Sequence, residues 1–145
     1  MSYTEHQHVK DWLIRHEHEI LDVTYSKVLD EYLNSLPWNP GGVQWEDISH
    51  VSIEISEDPD VNFLGRCRDT AAGAHEFTMI MYNGSENSIL CRSEEAFLNI
   101  DLLYFRAPGP RYFCGVDKID GTIVLHPQDF AEYDISGLTF RVHDK

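Results

Sequence analysis

The feature that most constrains the fold is a strict alternation of apolar and polar residues between Ile48 and Ser56. Val51, Ile53 and Ile55 fall on one side of an extended chain, and the residues between them are polar. Successive side chains of a strand point to opposite faces, so this period of two predicts a strand with one face in the core. We therefore expect a β-sheet around this segment, with these three side chains buried.

Turn sequences and further apolar runs predict the other strands. Asn83-Gly84 separates two apolar runs and predicts a type I′ hairpin, because both residues tolerate positive φ. The segment Asp117–Gly121 predicts a second hairpin in the same way. Alternation predicts two more strands, at Val61–Arg68 and Gly137–Val142, whereas Pro127–Asp134 is interpreted as irregular or as one helical turn.

Residues 1–36 are predicted to be helical. Thr4 with Gln7 forms a capping box near the start, and Pro37 ends the segment. The apolar stripe changes sides after Leu21, so we expect a break near Asp22–Thr24, where either residue can cap a second helix. The alternative is one continuous helix that is buried on two sides.

Helices followed by closely spaced strands predict an α+β fold. We expect N-terminal helices packed on a mainly antiparallel β-sheet of about five to seven strands. The 145 residues suit a single domain, 1–145, with one hydrophobic core. Within it, 1–36 is helical and 43–143 is mainly β, with a short helix near 93–104 that Ser93 caps.

Charge and composition exclude several classes of protein. The chain has 25 acidic and 11 basic residues, and its net charge of −14 repels nucleic acids and anionic membranes. We therefore expect neither as a partner, and a basic protein instead. No apolar run reaches the ~18–20 residues of a membrane span, and the N-terminus lacks the pattern of a secretory signal. These features, with an odd number of cysteines, predict a cytoplasmic protein without a disulfide framework.

Histidines near the N-terminus suggest a metal site at first sight. Four of the 8 histidines lie in this region: His6, His8, His16 and His18. Ligands on one helix face need a spacing of three or four residues, whereas the close pairs here are two apart and point in different directions. We therefore expect no metal at these residues, and no cofactor.

Cysteine chemistry is the other candidate for catalysis. Cys67 lies between Arg66 and Arg68, which can favour a thiolate. On a strand, however, the arginines point to the opposite face and leave the thiol in the core. A Cys–His hydrolase that uses His50, His75 or His126 has no supporting motif in the sequence. We expect a protein that is not an enzyme.

The distribution of acidic residues stands out from the rest of the sequence. Between Lys27 and Arg66 there is no Lys or Arg, whereas 8 acidic residues lie there. Glu54 faces away from the apolar side of its strand, so several carboxylates are expected on one exposed surface. The candidate partner-binding residues are Glu46, Asp47, Glu54, Glu57, Asp58 and Asp60. Solubility is the ordinary explanation for such acids. Glu17, Glu19 and Glu132 are interpreted as exposed acids elsewhere.

These properties are similar in type to those of bacterial immunity proteins and antitoxins, although no motif is matched residue by residue. The resemblance implies an acidic inhibitor that neutralises a basic partner such as a toxin nuclease. One alternative is a small-ligand-binding protein or small enzyme, with a pocket between sheet and helices near Trp45, Tyr104 and Tyr112. Another is a structural or adaptor subunit that self-associates through Tyr25–Tyr32. The oligomeric state is not predicted.

Overall fold

The computed structural model describes residues 7–39, 42–54, 61–98, 112–134 and 139–143. Four α-helices lie in these ranges: α1 Gln7–Arg15, α2 Val23–Asn34, α3 Val61–Arg68 and α4 Ser93–Leu98. A short 3₁₀ helix covers Trp45–Asp47. Nine strands complete the described elements: β1 His18–Ile20, β2 Trp38–Asn39, β3 Gly42–Val43, β4 His50–Glu54, β5 Phe77–Met81, β6 Ile89–Arg92, β7 Tyr112–Ile119, β8 Thr122–Asp134 and β9 Thr139–His143.

Seven strands form one antiparallel sheet in the order β1-β6-β5-β7-β8-β9-β4. The remaining pair, β2 and β3, makes a separate two-stranded ribbon. The α+β class and the expected number of strands are therefore confirmed. The helices are not confined to the N-terminus, because α3 and α4 lie between strands of the sheet. None of the described helices is long and apolar enough to span a membrane.

The sheet is covered on both faces. Ile80 belongs to one apolar cluster, with side chains of α1, α3 and α4, whereas its neighbours Met79 and Met81 belong to a second cluster with α2 and Trp45. Because adjacent residues of a strand point to opposite faces, the two clusters lie on opposite sides of the sheet. A strand buried on both faces has a continuous apolar run in place of alternation, as β5 does.

The N-terminal region contains a strand as well as helices. The predicted cap of a second helix is confirmed, since the Asp22 side chain accepts a hydrogen bond from the Thr24 backbone N–H at 2.9 Å and caps α2, although α1 already ends at Arg15. The prediction of helix throughout 1–36 is wrong, because β1 pairs with β6 between the two helices. The stripe Tyr25–Tyr32 packs against the cluster beneath α2 and faces its own sheet. Val28 within it is 47% exposed, and self-association through this stripe stays a prediction.

The predicted strand at Val61–Arg68 is helix α3. Its buried residues are Phe63, Leu64 and Cys67, which lie on one face at a spacing of one and four residues. The same sequence also alternates weakly, and packing against the sheet decides in favour of the helix. For the predicted short helix near 93–104, α4 covers Ser93–Leu98, and the remainder lies outside the described residues.

The two predicted hairpins have different outcomes. Asn83-Gly84 is not a type I′ tip, because the connection runs from Tyr82 to Ser88 and Gly84 does not have positive φ. Asn83 instead accepts a hydrogen bond from the backbone N–H of Ser85 at 2.8 Å, an Asx turn. The second hairpin is confirmed and tighter than expected. Asp120 and Gly121 have φ of 51° and 82° and join β7 to β8, as a type I′ turn requires.

Strand β8 contains an irregularity that the sequence interpretation missed. The segment Pro127–Asp134, predicted to be irregular or helical, continues this strand. Gly115 pairs with His126, but the preceding residue, Cys114, pairs with Phe130. Residues 127–129 therefore have no paired residue on β7. A bulge of this kind bends a strand and changes the direction of its side chains.

Candidate functional site

Three of the predicted partner-binding acids lie in the described part of the chain. Glu46 and Asp47 are exposed in the 3₁₀ helix, and Glu54 is exposed at the end of β4. Within the described ranges, no ion pair involves any of the three. Strand β4 is about 13 Å long at about 3.3 Å per residue, so Glu46 and Asp47 lie near one end and Glu54 at the other. The remaining predicted acids, Glu57, Asp58 and Asp60, lie outside the described residues.

Strand β4 is an edge strand among the described residues, paired only with β9. Beside it is a groove of about 330 Å³, whose lining includes Val51 and Ile53 from the strand and Arg66 and Thr70 from α3 and the segment after it. Ile53 is buried as predicted, but Val51 is 42% exposed, so the prediction that it lies in the core is wrong. The helical layer that buries Ile53 leaves Val51 open to solvent.

The predicted exposure of Glu132 is also wrong. This residue is buried in β8, and its Oε1 accepts a hydrogen bond from Trp45 Nε1 at 3.2 Å. The bond anchors the start of the 3₁₀ helix to the centre of the sheet. Trp45 and Tyr112 are both buried in the apolar cluster below α2, and the ligand pocket that they were expected to line stays a prediction. Tyr104, its third expected member, lies outside the described residues.

The three cysteines are unsuited to nucleophilic catalysis. Cys67, Cys91 and Cys114 are buried and free, and burial raises the pKa of each thiol to about 12. The thiolate is the reactive form, and a pKa this high leaves almost none of it at neutral pH. The hypothesis of a Cys–His hydrolase therefore finds no support in the residues that the structure describes.

Four ionisable side chains meet on the sheet: His75, Asp117, His126 and Asp129. His75 Nε2 lies 2.7 Å from Asp129 Oδ2, and His75 Nδ1 lies 3.2 Å from both carboxylate oxygens of Asp117. His126 Nε2 lies 2.8 Å from Asp117 Oδ2, and the two imidazole rings stack with centroids 4.6 Å apart. Each histidine therefore contacts a carboxylate, and His75 contacts both. We call these four residues the His–Asp cluster.

Local backbone features bring the cluster together. His75 lies in the bend just before β5, and Asp117 lies on the neighbouring strand β7. His126 and Asp129 lie at the start and end of the bulge in β8, which lets both side chains reach His75. Gly115 provides the space, because a Cβ atom at this position would overlap the imidazole ring of His75.

The charges of the cluster stabilise one another. Burial acts to lower the pKa of His75, but hydrogen bonds to Asp129 and Asp117 outweigh it, so the pKa lies above its ordinary value. The hydrogen bond from His75 holds the pKa of Asp117 below its ordinary value, and His126 adds to this effect. An imidazole ring with a carboxylate at each nitrogen donates a hydrogen bond to both carboxylates only when both nitrogens are protonated. A cation bound at one nitrogen can replace one of these protons.

Sequence reasoning missed the His–Asp cluster, although part of the signal was present. A hairpin centred on Asp120-Gly121 pairs Asp117 with Val124, and His126 is then a diagonal neighbour of Asp117 on the same face. His75 and Asp129 carried no such signal. Their positions depend on pairing between distant strands and on the bulge, neither of which the sequence alone indicates.

Comparisons with known proteins provide no family for this chain. No protein-family model matches the sequence, and a search of curated proteins found no match.

Proposed function

We propose that this protein is a non-enzymatic protein that binds a basic protein partner along β4. In this role it would resemble an immunity protein or antitoxin that binds its toxin. The single observation that supports this function is that β4 lies at the edge of the described sheet and has, near both of its ends, carboxylates that form no ion pair with a described residue. Edge, groove and acidic residues together provide the backbone, apolar and ionic contacts that a protein partner needs.

The backbone of β4 supports the proposal first. An edge strand presents a row of N–H and C=O groups to one side, and natural proteins usually protect it with Lys, Pro or a bulge. The sequence of β4, His50–Glu54, contains neither Lys nor Pro, and its pairing with β9 is regular. An extended segment of a partner would extend the sheet by hydrogen bonding to this edge.

The groove supplies an apolar contact for such a segment. Val51 is exposed beside it, and alternate side chains of an added strand would point toward this part of the groove. Arg66 and Asp69 both line the groove and contribute opposite charges. The groove is therefore close to neutral, and the acids near the strand ends determine the preferred charge of the partner.

The charge of those ends favours a basic partner. Glu46, Asp47 and Glu54 are exposed and form no ion pair with any described residue, and the net charge of the chain is −14. A field of this sign accelerates encounter with a cationic surface and repels anionic competitors. A cytoplasmic location is part of the same proposal, since free thiols such as those of this chain persist in a reducing compartment.

The test compares two double charge reversals that change the net charge equally. Glu46→Lys with Glu54→Lys alters both ends of β4, whereas Asp11→Lys with Glu31→Lys alters two exposed acids on α1 and α2. The partner is isolated from the native cell with the wild-type protein, and association rates are measured from 20 to 500 mM NaCl. We expect the β4 variant to lose most of the on-rate and the salt dependence, and the helix variant to lose little.

A third variant examines the edge itself. Val51→Lys places a charge in the middle of β4, as natural edge strands do to prevent pairing, and should weaken the complex without unfolding the protein. Circular dichroism and the urea midpoint establish that each variant is folded. Equal losses for the two double reversals, or association that does not depend on salt, would contradict the proposal.

A further inference from the structure

We propose that His75, His126 and Asp129 bind a divalent transition-metal ion such as Zn²⁺, with Asp117 orienting the imidazole ring of His75. This proposal is independent of the partner-binding function, and it departs from the sequence-based expectation that the protein binds no metal. It rests on the geometry and chemistry of the His–Asp cluster.

The donor atoms are already close together. One ligand atom from each of His75, His126 and Asp129 can be chosen so that all lie within 4.8 Å of one another. In a tetrahedral zinc site with bonds of about 2.0–2.2 Å, ligand atoms are about 3.3 Å apart. His75 Nε2 and Asp129 Oδ2, at 2.7 Å, are closer than that. Binding therefore needs a small separation of this pair and a movement of His126 toward it.

The charge of the cluster favours a cation. Two carboxylates face two imidazoles, and His75 has a carboxylate oxygen at each of its nitrogens. A neutral imidazole has one N–H, so it can donate to only one of these carboxylates. A metal ion between His75 Nε2 and Asp129 would replace the proton that this contact otherwise needs. His75 Nδ1–H would continue to donate to Asp117.

Asp117 is suited to the supporting role. Its carboxylate lies against His75 Nδ1 and against His126 Nε2. Metal-binding histidines usually donate their second ring N–H to a carboxylate or carbonyl, which fixes the tautomer and raises the basicity of the ligand. The contact to His75 already has this arrangement, because Nδ1 faces Asp117 and Nε2 faces Asp129.

The donor set also limits the type of metal. Two imidazole nitrogens and one carboxylate oxygen suit Zn²⁺ and related transition metals, whereas Mg²⁺ and Ca²⁺ prefer oxygen ligands. Three protein ligands leave one position of a tetrahedral ion for water. His75 also lines a groove of about 320 Å³ between the ends of α3 and α4, which gives solvent a path to the site.

The proposal is tested on the tag-free, full-length chain after dialysis against a chelator. Zn²⁺ is titrated calorimetrically, and Co²⁺ is added separately because tetrahedral cobalt absorbs strongly in the visible range. We expect one equivalent of metal per chain in the wild type. His126→Ala should abolish that equivalent, and Asp117→Asn should weaken binding by about 10- to 100-fold.

The matched control is His16→Ala. His16 also pairs with a carboxylate, since its Nδ1 lies 2.7 Å from Glu95 Oε2, and its side chain is comparably exposed at 23% against 27% for His126. It belongs to the histidine-rich N-terminal region, so a metal held there would be lost in this variant. We expect its affinity for Zn²⁺ to equal that of the wild type.

NMR of the wild-type protein tests the same site without relying on any variant to fold. Imidazole resonances of His75 and His126 should shift when one equivalent of Zn²⁺ is added, whereas those of His50 and His143 should not. The proposal is overturned if the wild type binds less than one equivalent, if His16→Ala abolishes binding, or if the shifts occur only at the N-terminal histidines.

Discussion

Gly115 leaves the space that the imidazole ring of His75 occupies, and a single methyl group tests how firmly the ring is held. Gly115→Ala places a Cβ atom on the ring carbons of His75. Either the ring or the strand must move, so we expect a loss of about 1–3 kcal/mol in the free energy of unfolding. Urea denaturation measures it.

Gly65 provides the matched control for this substitution. It lies inside α3, and a Cβ atom there would meet no other atom within 4 Å. Gly65→Ala should therefore stabilise the protein by about 0.5–1 kcal/mol, because alanine favours the helix and restricts the unfolded chain. Equal effects of the two substitutions would mean that the ring of His75 does not lie against Gly115.

The cap of α2 is a second feature that one residue controls. The backbone N–H of Thr24 lowers the pKa of Asp22, and the Thr24 hydroxyl and Lys27 act in the same direction. A lowered folded-state pKa means that the stabilisation is present above the unfolded value of 3.8 and is lost as the pH falls through the folded value.

Asp22→Asn separates this titration from the capping hydrogen bond. Asparagine caps a helix about as well as aspartate but does not titrate. We expect the melting temperatures of wild type and variant to differ by a constant amount above pH 5 and to converge as the pH falls below 3.8. A difference that is independent of pH would show that the carboxylate charge does not stabilise α2.

At the scale of elements, β7 and β8 share the longest run of paired residues among the described strands, and their hairpin depends on its turn. Gly121 has a φ of 82°, which β-branched residues rarely adopt. Gly121→Val should therefore cost about 1–3 kcal/mol in the free energy of unfolding, measured by urea denaturation. Gly84→Val lacks this backbone penalty, since Gly84 does not have positive φ, although its Cβ atom would overlap the side chain of Asp30.

The elements that sequence reasoning predicted well are those that local rules determine. Asp22 at the start of α2 and Asp120-Gly121 between β7 and β8 each act through their own backbone geometry. The failures depended on distant contacts. Strand β1 exists because β6 offers it an edge, and α3 is a helix because its apolar side chains pack on the sheet. No window of sequence contains those partners.

The candidate sites divide in the same way. The acidic residues near the ends of β4 are predicted from charge and alternation, which are properties of a short segment. The His–Asp cluster joins a bend, two strands and a bulge, so only the tertiary pairing brings His75 to Asp129. The misjudged exposure of Glu132 has a similar origin, because its partner Trp45 comes from a distant part of the chain.

For the whole molecule, the excess of acidic residues acts on stability as well as on binding. A net charge of −14 produces self-repulsion that is released on unfolding. Salt shortens the screening length to about 8 Å at 0.15 M, so we expect the melting temperature to rise between 10 and 150 mM NaCl. A fall over this range would mean that surface ion pairs such as Lys118–Glu19 outweigh the repulsion.

The two-sided core has a consequence for spectroscopy. Trp12 lies in the cluster that includes side chains of α1, α3 and α4, and Trp45 lies in the cluster on the opposite face of the sheet. Both side chains are almost fully buried. Variants that keep one of these indoles would report the opening of each face through its own fluorescence. Coincident transitions would show that the sheet transmits unfolding from one face to the other as a single cooperative unit, and separate transitions would identify the face that opens first.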